Sequence, residues 1–450
     1  MKNSEDTIIA LATPPGVSAI AVLRISGSLV ADICRAVLPN FKMRPRFASL
    51  ANAIDKNGTI IDKPIVLYFP APNSYTGEDV LELFLHGNPF IARHLTETIL
   101  KIPGLRLAER GEFAKRAFLN GKIDLTQAEA LNDILYARDL KKLGNAHRLL
   151  NGEISREIKA LAKNIKEVSA LLELEADFAE DIELGSENNS LSLRLPCEKI
   201  VHLLHHLRNL KSRFKISSNE LPRVALFGAP NAGKSSLINA LIKDNRLLVS
   251  ETAGTTRDFV EVPLRLPSGD ILLVDTAGLA GEAKSDIDRQ AMQKTKDILK
   301  KSNLKILAID VSVPLPNEFE EWVKIADLAV ETHCDLPRIC SSMQLQNTAI
   351  KTIPPKNIGI NELRNALDAI FFPKTEETED IWLTSERQIA CIKKAEECVL
   401  RALEQLKQAD AAELAAFEMR EARNAIYSIT GEISDDSVLE TIFSNYCIGK

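Results

Sequence analysis

The amino-acid sequence predicts a multidomain chain of α+β and α/β parts, with the α/β part inserted into a helical one. Three observations carry that expectation. A phosphate-loop signature, Gly228-Ala-Pro-Asn-Ala-Gly-Lys-Ser-Ser236, sits near the middle of the chain. Strand and helix signals alternate around it over residues 220–373, the mark of an open α/β sheet. Helical stripes flank that region on both sides and leave apolar faces that need each other.

Length and composition set bounds. At 450 residues the chain exceeds one ordinary core, so roughly two to four domains are expected. It is 45% hydrophobic and 26% charged, a globular balance. A net charge of −6 announces no general nucleic-acid surface, so any RNA contact must use a local basic patch. Seven cysteines, odd in number and without a C-x-x-C pair, argue for reduced thiols and against a disulfide framework or zinc site. No apolar run is long enough for a membrane span, and no signal-peptide core follows Met1. A cytoplasmic protein with no membrane partner is the expectation.

Residues 1–120 mix strand and helix signals and read as an α+β domain. Thr7-Ile-Ile-Ala-Leu-Ala12 and Ala19-Ile-Ala-Val-Leu-Arg-Ile25 are strands separated by the Pro14-Pro15-Gly16 turn. Pro64–Phe69 returns after the Asp55–Gly58 turn, and Val80–His86 is apolar enough for a central strand, which makes Glu82 a buried-side or site carboxylate. Residues 121–219 read as the first helical part. Leu150, Ile154, Ile158, Leu161, Ile165, Val168 and Leu172 draw one stripe, which Gly144 and Asn151-Gly152 break or bend. Val201, Leu204, Leu207, Leu210 and Phe214 draw another after Pro196. Residues 374–450 are the second helical part, with stripes through Ile389, Ile392, Val399, Leu403 and Leu406, and from Leu414 to Ile429. His202, His205 and His206 share helical spacing but show no partner carboxylate or cysteine, so an exposed face is expected rather than a metal site. The basic run Arg208, Lys211, Arg213 and Lys215 reads as a solvated helix end or an RNA-phosphate contact.

The apolar run Val224–Phe227 leads into the phosphate loop, and Ser236–Ile242 reads as the helix that follows. Glycines let backbone N–H groups curl around phosphate oxygens, the helix N-terminus adds partial positive charge, and Lys234 adds a full one. Ser235 can then place its hydroxyl on Mg2+. Asn231, Ala232, Gly233, Lys234, Ser235 and Ser236 are thus candidate nucleotide contacts. A polar loop through Ser250, Glu251, Thr252, Ala253, Gly254, Thr255 and Thr256 is placed to cover bound nucleotide. A hairpin then delivers Asp275, Thr276, Ala277 and Gly278, where a carboxylate leaving a buried strand orders Mg2+ through water and the glycine N–H meets a γ-phosphate. In this register the segments predict a Ras-like P-loop G domain. Base recognition departs from the usual Asn-Lys-x-Asp: here Thr332-His-Cys-Asp335 keeps only the aspartate, and no serine-alanine-lysine-like loop is evident near Ile350–Pro354. Asp335 remains the candidate reader of guanine. Leu279 stands where a water-orienting glutamine is usual, so hydrolysis is slow or another residue and an extra cation act instead.

Four blocks make the chain resemble the MnmE (TrmE) family of tRNA-modification GTPases over nearly its whole length. They are Ala12-Thr-Pro-Pro-Gly16 with Leu23-Arg-Ile-Ser-Gly27; Pro72-Asn-Ser-Tyr-Thr-Gly-Glu-Asp-Val-Leu-Glu-Leu83; Arg110-Gly-Glu-Phe113 with the run from Arg116 to Ala130; and Cys447-Ile-Gly-Lys450. The resemblance implies an N-terminal domain of folate-binding type that dimerises and takes a tetrahydrofolate one-carbon donor through Arg24, Glu82, Lys122 and Lys450. It implies a homodimer that joins an FAD-dependent MnmG-type partner in a heterotetramer and modifies C5 of the tRNA wobble uridine, adding an aminomethyl or carboxymethylaminomethyl group. It implies a GTPase activated by K+ held at Asn231, Ser250, Thr252 and Thr255, with Mg2+ on Ser235 and Thr256. The catalytic carboxylate aligns with Asp288, one methylene shorter than the family's glutamate, with Glu282 as rival; Lys234 and a reactive Cys447 complete the catalytic set. Asn88 departs from the glycine usual after the Glu82 strand. Two other functions stay open: a regulatory GTPase switch for ribosome assembly, and a degenerate nucleotide binder with weak hydrolysis.

Overall fold

The computed structural model describes residues 6–178, 194–214, 220–243, 261–276, 286–339, 349–373, 383–406 and 412–449. The chain forms two compact units. One comprises Met1–Leu135, Asn145–Ile216 and Asp380–Lys450; the other comprises Tyr136–Gly144 and Ser217–Glu379. An α/β unit is thus inserted into a part that is α+β and helical.

In the first unit, β1 (Thr7–Leu11), β2 (Ile20–Ser26), β3 (Ser49–Leu50), β6 (Ile65–Phe69), β7 (Val80–His86) and β8 (Leu105–Leu107) form one sheet; β4 (Ala53–Ile54) and β5 (Ile60–Asp62) pair separately. The sheet order is β3-β6-β7-β2-β1-β8, antiparallel except between β1 and β8. Alternation sorts its faces. Leu23, Ile25, Leu81, Leu83 and Leu85 pack under α1 (Val30–Val37) and α2 (Pro89–Ile99). Arg24 and Glu82 are opposite partners across β2 and β7 and point to the other face, where Ile8, Ala10 and Phe113 pack. Asn88 finds a role here: its side chain accepts from Phe90 N–H at 2.9 Å and caps α2. Phe113 lies on α3 (Glu112–Leu119), and α4 (Leu125–Tyr136) follows.

The helical core is built from α6 (Glu153–Phe178), α7 (Arg194–Ser212), α12 (Glu386–Gln405) and α13 (Ala412–Thr430). Ile154, Ile158, Leu161, Ile165, Val168 and Leu172 are all buried, so the long stripe does what its spacing predicts. Helix α5 (Leu140–Leu150) runs through Gly144, and only Asn151-Gly152 interrupts it. The α7 stripe holds at Leu204, Leu207 and Leu210, which are buried, but not at Val201, which is 42% exposed while Ile200 and Leu203 turn inward. Leu414 is likewise exposed, because Ala415, Ala416 and Met419 face the core in its place. Arg208 and Lys211 stay exposed near the end of α7, as a solvated helix end would, but the described side chains of the basic run are paired with carboxylates. Arg208 and Lys211 both pair with Glu396, and Arg213 makes a two-pronged pair with Glu157. His206 also has a carboxylate partner, lying 3.1 Å from Glu157. These hydrogen bonds, first from His206 and then from Arg213, pull the Glu157 carboxyl down to about 2. Lys215 lies outside the described residues. The unit closes with α14 (Asp436–Ser444).

In the second unit, β9 (Arg223–Gly228), β10 (Glu261–Arg265), β11 (Asp270–Asp275), β12 (Leu304–Asp310), β13 (Leu328–Thr332) and β14 (Ile350–Lys351) run in the order β10-β11-β9-β12-β13-β14. All neighbours are parallel except the β10–β11 hairpin. Helices α8 (Lys234–Lys243) and α11 (Ile360–Phe371) cover one face; α9 (Asp286–Lys301) and α10 (Phe319–Ile325) cover the other. Both faces are buried, which is why β9 and β12 read as continuous apolar runs. Residues 136–144, expected in the first helical part, belong to this unit. Leu140 N–H donates to Ser268 O and Asp270 N–H to Arg138 O, each at 2.9 Å, tying the segment to the hairpin turn.

Candidate functional site

The phosphate loop leaves β9, next to the centre of its sheet, and enters α8. At Gly228 (φ 146°) a Cβ would lie 2.4 Å from Ala308 O, so the loop can start against β12 only with glycine there. Asn231, also at positive φ (62°), is exposed at the turn. Lys234 is 7% exposed and donates to Ala229 O at 2.8 Å and Gly228 O at 3.3 Å. Desolvation lowers its pKa while Asp275 opposes that shift, so the loop holds a buried cation aimed at its own concavity. Ser235 Oγ donates to Asp275 Oδ2 at 2.7 Å. The other oxygen, Asp275 Oδ1, is buried with no hydrogen-bond partner among the described residues. A hydroxyl beside an unsatisfied carboxylate oxygen fits a hydrated Mg2+, whose water would supply the missing donor. The Thr276 hydroxyl donates to Leu226 O at 2.6 Å within the sheet. Ser236 is exposed on α8. Ser250, Glu251, Thr252, Ala253, Gly254, Thr255, Thr256, Ala277, Gly278, Leu279 and Glu282 lie outside the described residues. Asp288 falls in the first turn of α9.

The replaced base motif has its own chemistry. Thr332 is fully buried, and its hydroxyl lies 2.9 Å from Ala232 O and 3.2 Å from Ile309 O, tying the end of β13 to the phosphate loop. Sequence reasoning treated Thr332 as a lost asparagine; its short hydroxyl makes this tie because β13 ends beside the loop. His333 (φ 54°) follows, its Nδ1 3.2 Å from Asp310 Oδ2, an ion-pair distance without hydrogen-bond alignment. Its Cε1 would lie 3.4 Å from a Cβ on Gly233, so the loop glycine admits the ring. Asp335 pairs with Lys356 at 3.2 Å, and that ammonium holds its carboxyl below the usual range.

In the first unit the structure brings Arg24 and Glu82 together, Nε to Oε1 at 2.8 Å. The Arg24 guanidinium also lies 5.9 Å from the Tyr75 ring and 5.8 Å from that of Phe113. It donates to Gly449 O at 3.1 Å across 425 positions of sequence. Ile448 bridges to Arg110, so the end of the chain is docked on the N-terminal sheet, with Cys447 exposed beside it. Lys122 meets the same surface through Pro72 O at 2.7 Å, rather than through Arg24 or Glu82. Lys450 lies outside the described residues. Tyr75, Phe113 and the Gly449 carbonyl were not predicted; only the register and the docked terminus expose them.

Comparison with known proteins agrees with this architecture. The family described as GTP-binding protein TrmE N-terminus matches residues 7–122, and the MnmE helical domain matches residues 125–447. The tRNA modification GTPase MnmE of Aquifex aeolicus is 36% identical over 453 residues, covering 99% of this chain and 100% of the relative. That of Dichelobacter nodosus is also 36% identical, over 460 residues, with the same coverage. Among solved structures, the FeoB G-domain from Methanococcus jannaschii covers 33% of this chain and 96% of its own, at 20% identity and a TM-score of 0.26. Among the described residues no helix is long and apolar enough to cross a membrane. The chain belongs to the MnmE family of tRNA modification GTPases.

Proposed function

We propose that this chain is a K+-activated GTPase of the cytoplasm that modifies C5 of the tRNA wobble uridine with an FAD-dependent MnmG-type partner. In this reading it acts as a homodimer within a heterotetramer, and a tetrahydrofolate derivative donates the one-carbon unit for an aminomethyl or carboxymethylaminomethyl group. The observation that carries the reading is the docked chain end. A regulatory switch needs only a G domain, whereas here Gly449 O is held by Arg24, the residue that also pairs with Glu82.

The residues divide the work. Glu82 is an acceptor suited to the donor edge of a pterin, and Arg24 and Lys122 are cations suited to a glutamate tail. Lys234 and the N-terminus of α8 bind phosphate, and Ser235 with Asp275 orients the Mg2+ hydration shell. Asn231, exposed at the loop turn, is one oxygen donor for K+, with Ser250, Thr252 and Thr255 as proposed companions. A monovalent cation at the transferring phosphate would supply the positive charge that an arginine finger otherwise brings. Asp288 is the proposed carboxylate that orients water, and Cys447 the proposed reactive thiol.

GTP hydrolysis measured in K+ and in Na+ at equal ionic strength tests the catalytic half. At least a tenfold advantage in K+ is the expected result, on the order of one charged contact at a transition state. Equal rates remove the K+ mechanism. Loss of the modified wobble uridine from cellular tRNA on deletion tests the other half; unchanged tRNA favours the switch.

A further inference from the structure

Guanine offers two donors, N1–H and the N2 amino group, beside one acceptor, O6. A site that reads it must answer both. Asp335 answers the donors; O6 is usually met by a backbone N–H of the loop after the last strand. Here residues 352–357 of that loop have none to give. Thr352 N–H donates to Glu331 O at 2.7 Å and Ile353 N–H to Ile358 O at 3.0 Å. Pro354 and Pro355 have no N–H. Lys356 N–H donates to Ile353 O at 3.0 Å and Asn357 N–H to Pro354 O at 3.1 Å. Every backbone donor from residue 352 to 357 is absent, spent within the turn or, at Thr352, spent on β13. The one cation this turn sends toward Asp335 is the Lys356 ammonium, 3.2 Å from Oδ2.

We propose that Lys356 is a specificity-determining residue that donates to guanine O6 while Asp335 accepts from the N1 and N2 edge. The proposal rests on Asp335 being the base reader. An ammonium has three donors, so it can hold Oδ2 and O6 together. Adenine inverts both demands. Its N1 is an acceptor facing the carboxylate, and its N6 amino group is a donor facing the ammonium, so the pair repels it twice. A side chain thereby replaces the loop amide, and the selectivity lost with the Asn-Lys of the usual motif is restored from a different segment. Lys356 is 59% exposed, so its substitution spares the fold.

Competitive displacement of a fluorescent GTP analogue from the full chain tests this, using GTP, ATP and 2-aminopurine riboside triphosphate, which keeps the N2 amino group but has no oxygen at C6. Lys356→Ala is expected to weaken GTP roughly tenfold or more, the scale of a hydrogen bond from a charged donor, and to leave 2-aminopurine riboside triphosphate unchanged. Lys356→Arg should recover most of the loss. Equal weakening of both nucleotides, or unchanged or tighter GTP binding, overturns the assignment. Asp335→Asn separates the two layers. If it leaves the GTP-to-ATP ratio intact, the base-reader assignment falls and takes Lys356 with it. If it abolishes the preference while Lys356→Ala does nothing, only the role of Lys356 falls.

Discussion

Lys234→Ala lowers kcat/KM for GTP hydrolysis by about a hundredfold to a thousandfold, the cost of removing one preorganised charge from a developing anion. The reason lies in how the lysine is stored. Its ammonium is almost wholly buried, burial pushes its pKa down, and two loop carbonyls with Asp275 keep it charged. The desolvation cost is met on folding, so no reorganisation is needed when phosphate arrives. Most of the loss should appear in nucleotide affinity as well as in turnover, since the same charge meets ground-state phosphates. Arginine should not rescue it: the planar fork cannot occupy a niche shaped for a single ammonium against Gly228 O and Ala229 O. Single-turnover hydrolysis together with equilibrium binding provides the check, and a variant within tenfold of the parent in both would refute this account.

Arg116→Ala destabilises the first unit by about 3–5 kcal/mol, the range for breaking a buried ion pair from one side. Arg116 is 4% exposed and serves three carboxylates: Asp6 and Glu78 at 3.1 Å and Glu112 at 3.0 Å. Arg106 still pairs with Asp6 and Glu112 when Arg116 is removed, but Glu78 loses its arginine in a largely buried setting. Burial alone would raise the Asp6 and Glu112 carboxyls; the arginines hold both below the usual range. A depressed carboxylate contributes stability above its unfolded pKa and loses it as pH falls through the folded value. The parent should therefore lose stability on acidification below about pH 4, and the variant should lose less, because its carboxyls are less depressed. Urea unfolding at pH 7 and pH 4, with hydrogen exchange over α3 to localise the change, measures both. A cost under about 1 kcal/mol would reduce the network to a surface pair.

How much of this was legible in the chain depended on distance along it. The phosphate loop and Asp275 stood out because strand, turn and helix are contiguous and each residue type has one physical use there. The stripe from Ile154 to Leu172 was equally plain, since helical spacing alone puts it on one face. The stripe of α7 was misread by one position, at Val201, because a helix with apolar residues on several sides does not state which side its neighbours will cover. The partners of the basic run from Arg208 to Arg213 were not legible for a related reason: Glu157 and Glu396 are remote in sequence, and only the packing of α6 and α12 brings them close.

The sequence by itself determined the fold class, the phosphate-binding loop and the resemblance to one family, because these rest on local spacing and on contiguous blocks. Tertiary structure alone decided what the departures mean. Thr332 and the loop near Ile350–Pro354 looked like losses in a degraded motif, yet β13 delivers one hydroxyl to the phosphate loop and the proline turn delivers the Lys356 ammonium to Asp335. Arg24, Glu82 and Gly449 are likewise joined only by strand register and by the return of the chain end. Hydrogen-bond partners are set by where backbones converge, and a linear string does not record that convergence.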